Sequence, residues 1–162
     1  MRIAFLQIAP ERGEPSKNLE AVLGHLERAR ADLVVMPELC LAGYLFASRS
    51  EAARLAEEVP GRATRAMGEV CARKGMHVVM GIAERAGERL YNSSVLVGPG
   101  GVVSTYRKTH LFDREREIFD PGDTGFAVHD VADARVGMLV CFEWMFPEAA
   151  RTQALMGADV IA

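Results

Sequence analysis

The sequence predicts an α/β layered fold with mixed strand directions, and three observations lead there. Short apolar runs of strand length alternate with amphipathic runs of helical length along all 162 residues. The first strand, helix and strand follow one another within residues 2–36, a βαβ unit whose two strands run parallel. A Gly98-Pro99-Gly100-Gly101 turn between two β-prone runs adds a hairpin, so antiparallel pairing joins the parallel strands.

Each element follows from local pattern. Residues 2–9 (RIAFLQIA) are apolar and β-prone and predict a buried strand. Pro15 and Ser16 open a helix to about Arg30, with Leu19, Val22, Leu23, Leu26 and Ala29 on one face. Leu33 to Met36 is a second strand, ended by Pro37-Glu38, and residues 39–47 form an apolar loop. Ser48 or Ser50 caps a helix that Pro60-Gly61 stops, and a further helix runs from about Ala63 to Lys74 with Ala66, Met67, Val70 and Cys71 inward and Gly75 as its stop. His77 to Ala83 is a third strand, and Glu84 to Arg89 reads as a polar turn around Gly87. The hairpin pairs Leu90–Val97 with Val102–Tyr106, and an aperiodic polar stretch, residues 109–125, follows. Strands are expected at Phe126–Val131 and Arg135–Val140, then a helix over Pro147–Met156 packed by Ala150, Ala154 and Leu155. Ala158 to Ala162 begins another buried strand.

Composition excludes several function classes. The chain is 49% hydrophobic and 25% charged with a net charge of −3, and it carries no basic stripe, so nucleic acid is not an expected partner. No run approaches the roughly 18 apolar residues of a membrane span. The N-terminus lacks the cleavage site of a signal peptide. Three cysteines without CxxC spacing argue against a disulfide framework and for a reducing, cytoplasmic setting. Four histidines without HxxxH or HxH spacing support no metal site. A nucleotide-binding domain would need a GxGxxG or P-loop before a helix, and neither occurs.

Chemistry concentrates at strand ends. Cys141 closes the apolar run Val136–Val140 and precedes Glu143, Trp144, Phe146 and a helix opened by Pro147. It reads as a buried structural cysteine or as a nucleophile, its thiolate favoured by amides of the following turn and helix N-terminus. Glu38, at the mouth of a strand, is either a solvated acid or a general base in apolar surroundings. Lys108 ends Ser104-Thr105-Tyr106-Arg107 and is either a surface charge or a fixed cation beside an oxyanion. Glu115 sits in the acid–base run Asp113–Glu117, the composition of a solvated face. A base, a cation and a thiol are the parts that acyl transfer through a thioester needs.

On these residues the chain resembles the nitrilase superfamily of carbon–nitrogen hydrolases. VVMPELCLAGY is similar to the family's glutamate motif, and YNSSVLVGPGGVVSTYRKTHLF to its hairpin and lysine motif. EREIFDPGD resembles the segment after it, and GMLVCFEWMFPEAARTQALMGADVIA the cysteine motif. The resemblance implies a four-layer αββα nitrilase-like sandwich, incomplete in 162 residues, with residues 1–162 as one carbon–nitrogen hydrolase domain lacking its C-terminal part. It implies a Glu38, Lys108, Cys141 triad with Glu115 as second glutamate, and no metal or organic cofactor. It implies an amidohydrolase acting on a small linear amide or N-carbamoyl compound, in a homodimer or larger homo-oligomer. Tyr44, Phe142, Glu143 and Trp144 are the expected substrate-binding residues, with Phe46 and Phe146 as further candidate walls; Tyr44, Phe46, Trp144 and Phe146 read equally as core, and Glu143 reads either as a partner for a substrate amine or as a solvated or structural acid. The rival expectation is an inactive portion that folds only within an oligomer.

Overall fold

In the computed structural model, which describes residues Met1–Ala162, strands β1 (Ile3–Phe5) and β2 (Leu33–Val35) lie parallel and are joined by helix α1 (Pro15–Arg28). Helices α2 (Arg49–Leu55) and α3 (Arg62–Lys74) lead to β3 (His77–Ala86), parallel to β2. Antiparallel β4 (Arg89–Gly98) and β5 (Gly101–Arg107) complete a five-stranded sheet of order β1-β2-β3-β4-β5. A short helix, α4 (Glu115–Ile118), precedes a second sheet of β6 (Val128–Val131), β7 (Ala134–Gly137) and β8 (Val160–Ile161). Between β7 and β8 run a 3₁₀ turn over Cys141–Met145 and helix α5 (Pro147–Leu155).

The two-residue period of β3 explains the layering. Val78, Met80 and Ile82 face α1 and α3 and join a core with Leu19, Val22, Leu26, Met67, Val70 and Cys71. Val79 faces the other way, into a core between the sheets with Leu33, Leu96, Val131, Val136 and Met138. Each fully buried side chain of this size stabilises by about 1.5–3 kcal/mol. Helix α5 covers the outer face of the second sheet, where Gln153 Nε2 donates to the Met138 carbonyl at 2.9 Å. The layers are therefore helices, sheet, sheet, helix, as expected for the αββα class.

Local pattern misplaced several boundaries. The predicted first strand keeps only Ile3–Phe5, because the chain leaves the sheet after Leu6 N–H bonds the Val35 carbonyl at 2.8 Å. The predicted strand at Arg135–Val140 is regular only over Ala134–Gly137, with one further backbone bond from Leu139 N–H to the Ala162 carbonyl. Glu84–Arg89 is not a turn: β3 continues to Ala86 and Glu84 is buried. Its carboxylate accepts from Arg107 and from Ser93 Oγ, both at 2.6 Å, and this compensation lets a charge sit inside a sheet. In α5 the inward residues are Ala149 and Gln153 rather than Ala150, Ala154 and Leu155, and Leu155 is 83% exposed. The Gln153–Met138 bond sets that helical phase. On edge strand β1, Phe5 is 78% exposed, on the face opposite the α1 side that Ala4 and Leu6 occupy.

Candidate active site

Three chain crossings bring Glu38, Lys108 and Cys141 together. Beyond β2, the Met36 N–H bonds the Val79 carbonyl at 2.8 Å and the Cys40 N–H bonds the Gly81 carbonyl at 3.0 Å. The intervening segment crosses directly over Gly81, where a Cβ would lie 2.5 Å from Glu38 Cα and 2.5 Å from the Pro37 oxygen. Only glycine admits this approach. Leu39 turns the chain with φ +51° and is fully buried.

Lys108 follows β5, whose last residue is anchored. Arg107 makes two bonds to Glu84, at 2.6 and 3.0 Å, and one to Asp123 at 2.8 Å. The Lys108 N–H donates to the Asn92 carbonyl at 2.8 Å, and its own carbonyl accepts from Gly122 N–H at 2.9 Å. A Cβ on Gly122 would meet the Arg107 oxygen at 1.9 Å, so this strap also requires glycine. The Lys108 side chain is completely buried, with Nζ 2.7 Å from Glu38 Oε1 and 2.9 Å from Glu115. Burial pulls its pKa down, but the hydrogen bonds it donates to both carboxylates, with their charge, more than reverse this and leave it raised. Glu115 is held from α4: Oε2 accepts from the Phe112 N–H at 2.9 Å and Oε1 from the Tyr44 hydroxyl at 2.6 Å. It is a buried member of the cluster, not part of a solvated face.

Cys141 sits at a sharp elbow. The segment after β7 stays extended, held by the Leu139 N–H to the Ala162 carbonyl at 2.9 Å, and then Cys141 adopts φ +47°. That left-handed conformation costs a non-glycine residue about 1–3 kcal/mol and presents the thiol as an exposed group at the mouth of the site. The α5 N-terminus lies further on, at Pro147, so the amides near the sulfur belong to the 3₁₀ turn alone. The thiol is not prepared as a thiolate. Burial raises its pKa, the nearby Glu38 carboxylate raises it further, and Lys108 only partly offsets them. Two carboxylates facing one ammonium add to the effect of burial. By contrast, burial pushes Cys40 up to about 12 and Cys71 up to about 11, and both are enclosed in the core.

A cleft of about 250 Å³ opens at Cys141 and Glu38 and runs between the sheets past Val35, Val79, Ser94, Leu139 and Ala162. Tyr44 lies beside it, lining with Phe46, Phe112 and Glu115 a separate hollow of about 130 Å³. Phe46 is nearly buried and packs edge-on against Phe119. Phe142 lies against Phe112 and Phe146, with ring centroids 5.0 and 5.3 Å away, and Trp144 is 58% exposed and lines neither space. Glu143 corrects an expectation. It has no exposed surface, and its carboxylate accepts from Tyr106 Oη, Thr109 N–H, His110 N–H and Val140 N–H at 2.5–3.2 Å. With both oxygens occupied inside the protein it cannot meet a substrate amine; it ties the cysteine elbow to the segment after Lys108.

Asn92 escaped the sequence reading. It is buried on β4, and its Nδ2 donates to Glu38 Oε1 at 2.6 Å. The available signal was the polar run Asn92-Ser93-Ser94 inside an otherwise apolar strand. No group of three or more His, Cys, Asp or Glu side chains is placed to hold a metal ion, and no helix is long and apolar enough to cross a membrane.

Residues 2–162 match the carbon-nitrogen hydrolase family, and the chain belongs to that family. It is 45% identical to a nitrilase of Pyrococcus abyssi (strain GE5 / Orsay), covering 100% of this chain and 63% of that protein. It is 37% identical to an (R)-stereoselective amidase of Pseudomonas sp, covering 99% of this chain and 58% of that one. The crystal structure of an amidase from Nesterenkonia sp. has the same fold, with a TM-score of 0.82 at 25% identity, over 99% of this chain and 63% of that one. The chain thus spans somewhat under two thirds of the length of these proteins.

Proposed function

We propose that the whole protein hydrolyses the C–N bond of a small linear amide or N-carbamoyl compound through a thioester on Cys141. One observation carries this reading: a buried Lys108 ammonium bridges Glu38 and Glu115 at 2.7 and 2.9 Å, beside a cysteine exposed on a left-handed elbow. Because the thiol is held protonated, a base must take its proton during attack, and Glu38 is the carboxylate that acts on it. The sulfur then bonds to the substrate carbonyl carbon. The resulting oxyanion is met by Lys108 Nζ and by the Phe142 N–H, which lies in the first turn of the 3₁₀ segment with no carbonyl inside that turn to bond. One such donor is worth about 3–4 kcal/mol in the transition state. Glu38 returns the proton to the nitrogen, the C–N bond breaks, and ammonia or amine leaves. Water then adds to the thioester as Glu38 takes its proton, and the acid departs as the proton returns to sulfur. Glu115 holds Lys108 in place throughout.

A homodimer accords with the apolar surface that Trp144, Met145 and Leu155 present around α5. The test is ammonia release from short aliphatic amides by the whole protein. Activity should be abolished in Cys141→Ala and reduced by at least about a hundredfold in Glu38→Gln. Undiminished turnover in Cys141→Ala would overturn the mechanism, and no turnover of any amide by the wild type would overturn the activity.

A further inference from the structure

We infer that Asn92 is a positioning residue for Glu38: its amide N–H and the Lys108 ammonium together occupy Oε1, which leaves Oε2 as the oxygen that exchanges the proton with Cys141. The inference rests on the amidohydrolase reading and deepens it.

Asn92 lies on a central strand, opposite Ala83, and is 1% exposed. An amide there is unfavourable unless its polar atoms are bonded. Nδ2 is bonded, at 2.6 Å to Glu38 Oε1, while Oδ1 is buried without a partner. A purely structural asparagine would be expected to satisfy both ends. Turning the amide over would set Oδ1 against a carboxylate oxygen, acceptor against acceptor, so an ionised Glu38 dictates the orientation seen. The unpartnered Oδ1 is the consequence of aiming the donor at Glu38.

The same residue holds the cation. Its backbone carbonyl accepts from the Lys108 backbone N–H at 2.8 Å, so a single residue of β4 fixes the Glu38 side chain and the main chain from which the Lys108 side chain projects. Glu38 Oε1 then accepts two hydrogen bonds, from Asn92 at 2.6 Å and from Lys108 at 2.7 Å, which uses both of its lone pairs. Oε2 makes no hydrogen bond to Asn92 or Lys108. A proton received from the thiol therefore resides on Oε2, and the carboxyl need not rotate before passing it to the leaving nitrogen. Lys108 is held by Asn92 and both glutamates, so its donor position for the oxyanion is preserved through the same step.

The ionisable groups facing Glu38 are Lys108 after β5, Glu115 on α4, Tyr44 on the loop after Glu38, and Cys141 at its elbow. Among the donors, Asn92 alone is uncharged at every pH. Its removal therefore takes a donor from the Glu38 carboxylate without changing the count of charges around it.

The experiment is the pH dependence of kcat/KM for a short linear amide in the whole protein, for wild type, Asn92→Leu and Asn92→Ser. Leucine matches the volume and removes both polar atoms; serine is smaller and cannot span the distance to Glu38. Both variants should lose about 10- to 100-fold in kcat with KM changed by less than about threefold, and the acid limb should move up by about one pH unit. Thermal unfolding identifies the folded variants, and serine serves if leucine does not fold. A folded variant whose acid limb coincides with that of active wild type overturns the role of Asn92 and leaves the amidohydrolase reading standing. An inactive wild type overturns both.

Discussion

Glu143 offers the sharpest test of the distinction between a residue that binds substrate and one that builds the site. Its carboxylate is fully buried and holds four donors: Tyr106 Oη at 2.5 Å, Thr109 N–H at 3.1 Å, His110 N–H at 3.2 Å and Val140 N–H at 3.0 Å. The His110 ring also lies against it, with Nδ1 3.2 Å from Oε1. Glu143→Ala orphans all four. At about 1–3 kcal/mol for each buried unpaired group the naive sum is about 4–12 kcal/mol. The four share one partner and water can enter the space, so the losses do not add. A loss of about 3–5 kcal/mol, the range for breaking a buried charged network, is expected. Glu143→Gln keeps the shape but turns an amide donor towards either Val140 N–H or the Thr109–His110 pair, donor against donor, at about 1–3 kcal/mol. Urea unfolding followed by circular dichroism reads this directly. With a slope of about 2 kcal/mol per molar urea, the alanine midpoint falls by about 1.5–2.5 M and the glutamine midpoint by about 0.5–1.5 M. If both midpoints stay within about 0.3 M of wild type while KM for an amine-bearing amide rises, Glu143 is a substrate ligand and the structural assignment is wrong.

Three further tests probe other parts of the site. Gly81→Ala forces a Cβ to within 2.5 Å of Glu38 Cα and of the Pro37 oxygen; the Glu38 segment must lift from β3, so amide turnover should fall by at least about tenfold, with a lower melting temperature. Equal activity and stability in that variant would show that the crossing is not tight. Iodoacetamide should label one thiol per native chain, Cys141, and three in urea, since Cys40 and Cys71 are enclosed. Because the Cys141 pKa is raised above that of an ordinary thiol, thiolate is scarce at neutral pH and the labelling rate should keep climbing well into the alkaline range. Lys108→Met removes the one charge that lowers that pKa and should shift the profile further up; a midpoint near pH 7 in wild type would contradict the charge balance described.

The legibility of this protein in its sequence divides along physical lines. The helices were readable because α1 and α3 carry apolar residues at helical spacing and end in local signals, Gly75 at φ +64° among them. The hairpin was readable from its turn. Glu84 was misread because a polar run looks like a turn until Arg107 is seen across the sheet, and Arg107 is 23 residues away. Helix α5 was given the wrong inward face because nothing in its weak pattern shows that Gln153 bonds the Met138 carbonyl.

What the sequence alone determined was the inventory: an α/β chain, a cysteine at the end of an apolar strand, and a glutamate and lysine at two other strand ends, in an order that matched a known family. These are properties of short segments, set by periodicity and by residue type. Tertiary structure alone decided the relations among them. Glu38 and Lys108 are 70 residues apart in the chain and 2.7 Å apart in space. The burial and the charges around Cys141, which together push its pKa up, exist only once three segments converge. Glu143 became an internal strut, and Asn92 a partner of Glu38, for the same reason: burial and long-range hydrogen bonding assign a polar side chain its role, and neither is written in its neighbours along the chain.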